Sequence, residues 1–84
     1  MHYVYVLRSK KDEELYIGVT NDLKRRLHEH NERKSPSTSS RGPFTLLYYE
    51  AYRDRRDANR RENALKLRGN ARRFLKERLR FSLQ

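Results

Sequence analysis

Tyr16-Ile17-Gly18-Val19-Thr20-Asn21-Asp22-Leu23-Lys24-Arg25-Arg26-Leu27-His28-Glu29-His30-Asn31 reads as a short strand that turns through capping residues into a basic amphipathic helix. Leu15, Ile17 and Val19 alternate with Tyr16 and Gly18, so one strand face is apolar and the other carries a phenol beside bare backbone. Thr20, Asn21 and Asp22 offer an N-cap and a negative charge for the helix start. At about 100° per residue, Leu23, Arg26, Leu27 and His30 share one arc of roughly 100°. Lys24, Arg25, His28 and Glu29 take the opposite, solvated side. Arg26, on the edge of a core face, has two readings. Its stem covers apolar surface while its head reaches water, or its fork is kept for a phosphate. His28 and His30 do not make a metal pair, because residues at i,i+2 point about 200° apart on a helix.

Upstream, Tyr3-Val4-Tyr5-Val6-Leu7 is a β-branched and aromatic run, hence a first strand. Ser9-Lys10-Lys11-Asp12-Glu13 is polar enough for a hairpin loop, which makes the two strands antiparallel and places Tyr5 roughly opposite Tyr16. Two neighbouring phenols are ordinarily sheet packing. Downstream, the stretch from Lys34 to Pro43 is rich in Ser, Pro and Gly. It is a loop, either a plain connector or one that touches phosphate through Lys34 and Arg41. Phe44 to Ala51 follows as a third strand, apolar enough to lie centrally or against helices. Asp54 can cap a second helix that runs to about Arg68 and stops at Gly69. Its inward stripe is Ala58, Glu62 and Leu65, which puts a carboxylate where the pattern wants an apolar residue. Glu62 is then either ion-paired, to Arg61, Arg55 or Lys66, or it faces a site. Asn70 can cap a third helix, from Ala71 to about Arg80, packed through Phe74, Leu75 and Leu79.

Eighty-four residues are expected to make one small domain, 1–84, with room for three strands and two or three helices. With no cysteine there are neither disulfides nor thiolate metal sites, and a reducing cytoplasm is the expected setting. No apolar run approaches a membrane span and no signal-peptide pattern opens the chain. The formal charge is +10, from 21 basic and 11 acidic residues. Polyanions, nucleic acid first, are the expected partners, because phosphate contacts release condensed counterions. A ribosomal or membrane-surface role would show the same charge.

Tyr3-Val4-Tyr5, then Tyr16-Ile17-Gly18, Asp22 to Leu27 and His30-Asn31 together resemble the GIY-YIG nuclease family, in particular its small single-domain members. Agreement continues through Arg41, Pro43, Leu46 to Glu50 and Arg61-Glu62, and so spans nearly the whole chain. Only Tyr5 survives of the first motif's three letters, whereas the second motif and its downstream arginine keep their spacing. The resemblance implies an α/β fold, a three-stranded antiparallel sheet flanked by helices in the order β-β-α-β-α-α. It implies divalent-metal-dependent cleavage of a phosphodiester, with Mg²⁺ or Mn²⁺ as cofactor. By the same resemblance Tyr16 is the general base toward the attacking water and Tyr5 its supporting tyrosine. Arg26 holds the scissile phosphate, His30 occupies a site position, and Glu62 is the sole protein ligand of the metal. Gly18 keeps the wall bare so that phosphate can approach, and Arg25, Lys34 and Arg41 are expected to contact nucleic acid. His30 is the alternative proton acceptor. The resemblance implies that the larger relatives carry an added DNA-binding domain, which this chain is expected not to have. Its substrate is therefore expected to be chosen by shape, strandedness or a partner protein. A non-catalytic binding module on the same fold is the competing reading, and the joint presence of Tyr16, Arg26 and Glu62 favours the enzyme.

Overall fold

The computed structural model describes residues 1–84 except Pro36, Ser37 and Arg68. Its elements are β1 (His2–Ser9), β2 (Leu15–Thr20), α1 (Leu23–Asn31), β3 (Phe44–Tyr52), α2 (Arg55–Leu67) and α3 (Gly69–Arg78). The order is the expected β-β-α-β-α-α, and the three strands form one antiparallel sheet in the order β2-β1-β3. β1 is central; β3, apolar as it is, lies at an edge. No helix among the described residues is long and apolar enough to cross a membrane.

The period-two alternation of β1 feeds two different cores. Val4 and Val6 point to one face, where they pack with Leu15, Ile17, Ala58, Leu65, Leu75 and Leu79 under α2 and α3. Each Val, Leu or Ile side chain among these, removed from water, contributes about 1.5–3 kcal/mol. Tyr5 and Leu7 point to the other face and join Phe44, with Leu23 and Leu27 of α1 closing over them. A half-buried polar clamp supplements the first core. The Glu50 carboxylate accepts from the hydroxyls of Tyr48 (2.7 Å) and Tyr52 and from Arg61 Nε (2.9 Å) and Nη2 (3.0 Å). Burial alone would raise the Glu50 carboxyl, but hydrogen bonds from Arg61, Tyr52 and Tyr48 outweigh it and hold it below the usual range. The clamp ties α2 to β3 one residue before Glu62.

The helix starts follow their caps. Asp22 accepts from the Arg25 N–H at 3.0 Å, and Asp54 from the Arg56 N–H at 2.8 Å. At the far end of α1, Asn31 brackets the start of β3, accepting from the Phe44 N–H (2.7 Å) and donating to the Phe44 carbonyl (3.3 Å).

Four details differ from the sequence reading. Tyr5 stands opposite Gly18, and Tyr16 opposite Leu7. A slip of two residues leaves both phenols on one face, with ring centroids 6.3 Å apart. Gly69 has no positive φ and opens α3 instead of closing α2, so Asn70 sits inside the helix; the expected end at Arg68 lies outside the described residues. Leu75 and Leu79 are buried as expected, but Phe74 is 63% exposed. The inward face of α3 is the Ala71, Leu75, Leu79 row at i, i+4 and i+8, and Phe74 lies about 100° off it. Finally, the end of the 34–43 loop, from Ser40 to Pro43, is docked against the β1–β2 turn. Lys10 N–H donates to the Pro43 carbonyl (2.9 Å), Lys11 Nζ to the Ser40 carbonyl (3.2 Å), and Arg41 pairs with Asp12 (3.2 Å).

Candidate active site

The chemistry-bearing side chains meet on the α1 face of the sheet. β1 presents Tyr5, β2 presents Tyr16, and α1 lowers Arg26 and His30 onto them. Tyr5 Oη lies 2.9 Å from His30 Nε2, and the Tyr16 ring meets the imidazole edge-on at 4.9 Å. His30 is fully buried, its Nδ1 2.6 Å from the hydroxyl of Thr38, which is fully buried too. A neutral imidazole has one donor and one acceptor, so this ring spends both, on a phenol and on a loop hydroxyl. The result is a continuous hydrogen-bonded line, Tyr5–His30–Thr38, whatever the tautomer.

Burial sets the charges. It pushes the His30 imidazole down to about 4, with the Arg26 charge acting in the same direction and Glu29 against it. It pushes the Tyr5 phenol up to about 12, helped by Tyr16 and Glu62 and opposed by the Arg26 guanidinium beside it. At neutral pH His30 is uncharged and Tyr5 is a phenol. The Tyr16 hydroxyl differs from both, having no hydrogen-bond partner among the described residues on a ring that is only half-buried.

Arg26 reaches the cluster from the edge, neither snorkelling freely nor fully enclosed. Nη1 donates to Glu29 Oε1 (3.0 Å) and Nη2 to Ser35 Oγ (3.1 Å), while its charge bears on both phenols. Glu62 sits close enough to act electrostatically on the Tyr5 hydroxyl. Of the three cations considered for it, Lys66 is its partner, at 3.2 Å one turn on, whereas Arg61 is taken by Glu50. No group of three or more His, Cys, Asp or Glu side chains comes together as a metal cage among the described residues. A single carboxylate is a fitting donor for Mg²⁺ or Mn²⁺ when phosphate and water oxygens complete the octahedron. Glu62 meets that requirement, because Lys66 is half-exposed and free to swing away.

Gly18 has a reason other than the expected one. A Cβ there would lie 2.5 Å from Tyr5 Oη and 2.6 Å from Cζ, so the bare backbone makes room for the Tyr5 ring. Arg41 is occupied, paired with Asp12 at 3.2 Å and stacked 5.7 Å from the Phe44 ring centroid, where it fastens the loop. Lys34 and Arg25 are exposed, and Arg25 reaches the Asn21 side-chain oxygen at 3.3 Å. Thr38 and Ser35, which contact His30 and Arg26, were not legible as site residues. A Ser/Thr-rich loop gives no sign of which hydroxyl is buried.

An antiparallel β2-β1-β3 sheet thus gathers two phenols, an imidazole and an arginine on one face. The family model of the GIY-YIG catalytic domain matches residues 1–76, and the chain belongs to the GIY-YIG family. It is 43% identical over 67 residues to a UPF0213 protein of Clostridium perfringens, covering 79% of this chain and 71% of that one. A UPF0213 protein of Streptococcus agalactiae is 45% identical over 65 residues, covering 76% of this chain and 73% of its own. The solution NMR structure of a UPF0213 protein from Bacillus halodurans superposes with a TM-score of 0.57 at 36% identity, covering 90% of this chain and 82% of the other.

Proposed function

We propose that this chain is a divalent-metal-dependent endonuclease that hydrolyses DNA phosphodiester bonds, selecting its substrate by structure or strandedness, as one domain over 1–84. The observation that carries this reading is the convergence of Tyr5, Tyr16, His30 and Arg26 from three elements, with Glu62 within electrostatic reach. A binding module needs positive charge but not that constellation.

In the reaction proposed, the Arg26 fork turns from Glu29 and Ser35 to two non-bridging phosphate oxygens, where negative charge grows in the transition state. Tyr16, whose hydroxyl is uncommitted, takes the proton of the attacking water. The Arg26 guanidinium lies close enough to bear electrostatically on that hydroxyl. His30 is a poorer candidate for that proton, because it is fully buried behind Tyr5 and both ring nitrogens are engaged. Tyr5, anchored by His30, positions the water or its neighbour. Glu62 would hold a Mg²⁺ or Mn²⁺ ion, which when bound supplies Lewis-acid stabilisation of the phosphate.

One observation favours the non-catalytic module: Arg26 and Glu62 are each neutralised by a neighbour on their own helix, as an idle site would tolerate. Labelled single-stranded, duplex and flapped DNA, incubated with Mg²⁺, Mn²⁺ or EDTA, separates the two. The enzyme reading expects metal-dependent cleavage of at least one substrate, suppressed by EDTA. Binding without cleavage of any substrate in either metal assigns the module instead.

A further inference from the structure

A groove of about 400 Å³ opens beside the last residues of β2, between the starts of α1 and α2. Arg25, Arg26 and Arg55 converge on it, together with His2, Asn21 and Glu29. Three guanidinium groups face one carboxylate, and that carboxylate is committed to Arg26 at 3.0 Å. Asp54 does not neutralise its neighbour Arg55, because it is held by Arg56 at 2.8 Å. Among the described residues Arg55 forms no ion pair, and Arg25 reaches only the neutral Asn21 amide. Arg41, Arg56, Arg61 and Arg80 each have a carboxylate, and the other arginines that, among the described residues, form no ion pair, Arg60 among them, do not line this groove; Arg25 and Arg55 do, beside Arg26. The uncompensated cations of this recess therefore stand ready for an external anion, and Arg26 belongs both to the recess and to the aromatic cluster.

We propose that this groove carries the phosphodiester backbone flanking the scissile bond, with Arg25 and Arg55 each taking a phosphate beyond the one held by Arg26. The proposal rests on the nuclease reading above. A guanidinium suits the task because its planar fork pairs bidentately with phosphate oxygens, and because arginine keeps its charge at any working pH. Contacts of this kind fix the path and register of a strand without reading its bases. They add to affinity chiefly through counterion release, so each leaves a countable trace in the salt dependence.

The test is direct binding of labelled single-stranded and duplex DNA to the Glu62→Gln chain in EDTA, across a salt series, with poly-glutamate as a second ligand. Arg55→Ala and Arg25→Ala should each reduce the log–log salt slope by about 0.9 on duplex or about 0.7 on a single strand. Arg60→Ala, which removes an equal charge from the exposed side of α2, should leave the slope close to that of the parent. An Arg55→Ala slope matching that of Arg60→Ala overturns the groove while leaving the nuclease reading standing. Poly-glutamate bound as tightly as DNA, and weakened by the same two substitutions, would make the groove an acidic-peptide site instead. Absence of DNA binding by the Glu62→Gln chain would remove the nuclease reading and the groove together.

Discussion

The two faces of the sheet are built from the same strands and do different work. Toward α2 and α3, β1 sends Val4 and Val6 into an aliphatic core flanked by the half-buried Glu50 clamp, whose carboxylate accepts from three side chains. Toward α1, it sends Tyr5 beside Tyr16, a buried imidazole and a buried threonine hydroxyl. The first face stabilises; the second spends stability on holding polar groups in fixed places. A central strand that alternates one residue at a time can serve both because its side chains never share a layer. What breaks one face should spare the other, and that separation can be measured.

The largest effect on stability belongs to the aliphatic face. Leu65→Ala removes a fully buried side chain from α2 and should cost about 2–5 kcal/mol, lowering the thermal midpoint by at least about 8 °C. The fraction that remains folded should keep its Tyr5–His30 hydrogen bond, readable in the imidazole resonances. A disturbed imidazole would mean the faces are coupled.

Thr38→Val strikes the other face with nearly the same side-chain shape. It strands a buried imidazole nitrogen, which should cost about 1–3 kcal/mol in thermal or denaturant unfolding, and Thr38→Ser should recover most of the loss. Cleavage should fall with Val and return with Ser if Tyr5 is positioned through His30. Equal behaviour of Val and Ser would remove Thr38 from the line.

The most gradual and most diagnostic effect is with pH. His30 titrates near 6.5 when unfolded but about 4 in the fold, so the unfolded chain binds the extra proton throughout that window. Stability contributed by neutral His30 is complete above pH 6.5 and drains away as pH falls toward 4, at up to about 1.4 kcal/mol per pH unit. Urea titrations at intervals through that range should show the slope in the parent and a flatter profile in His30→Asn. Equal slopes in the two chains would place the titrating group elsewhere.

How much of this was legible in the sequence follows from the same contrast. Strand alternation, the Asp22 and Asp54 caps and the helix order rest on local periods and local hydrogen bonds, and they could be read directly. The Tyr5–Tyr16 register could not, because it is set by turn geometry. Glu13 adopts φ 61° and its N–H donates to the Ser9 carbonyl at 2.9 Å, a conformation that no residue spacing announces. Thr38 and Ser35 were hidden because burial of a loop hydroxyl is a tertiary fact. Gly18 was noticed for its bare backbone, but the neighbour that needs the space is thirteen residues away in sequence and directly across the ladder. Phe74 was misjudged because a single aromatic beside an inward row looks apolar enough to join it, and only the crossing of α3 over the sheet decides.

The central claim, that the α1 face is a reaction site and not a second core, is tested most directly by Tyr16→Phe. The ring and its edge-on contact with His30 are kept, while a hydroxyl with no partner among the described residues is removed. Cleavage rate and thermal midpoint should be measured together, on one DNA substrate at saturating Mn²⁺. The account predicts a loss of about 10²- to 10⁴-fold in rate, as for removal of a general base, with the midpoint moved by no more than about 3 °C. A Tyr16→Phe chain that cleaves at the parental rate contradicts it.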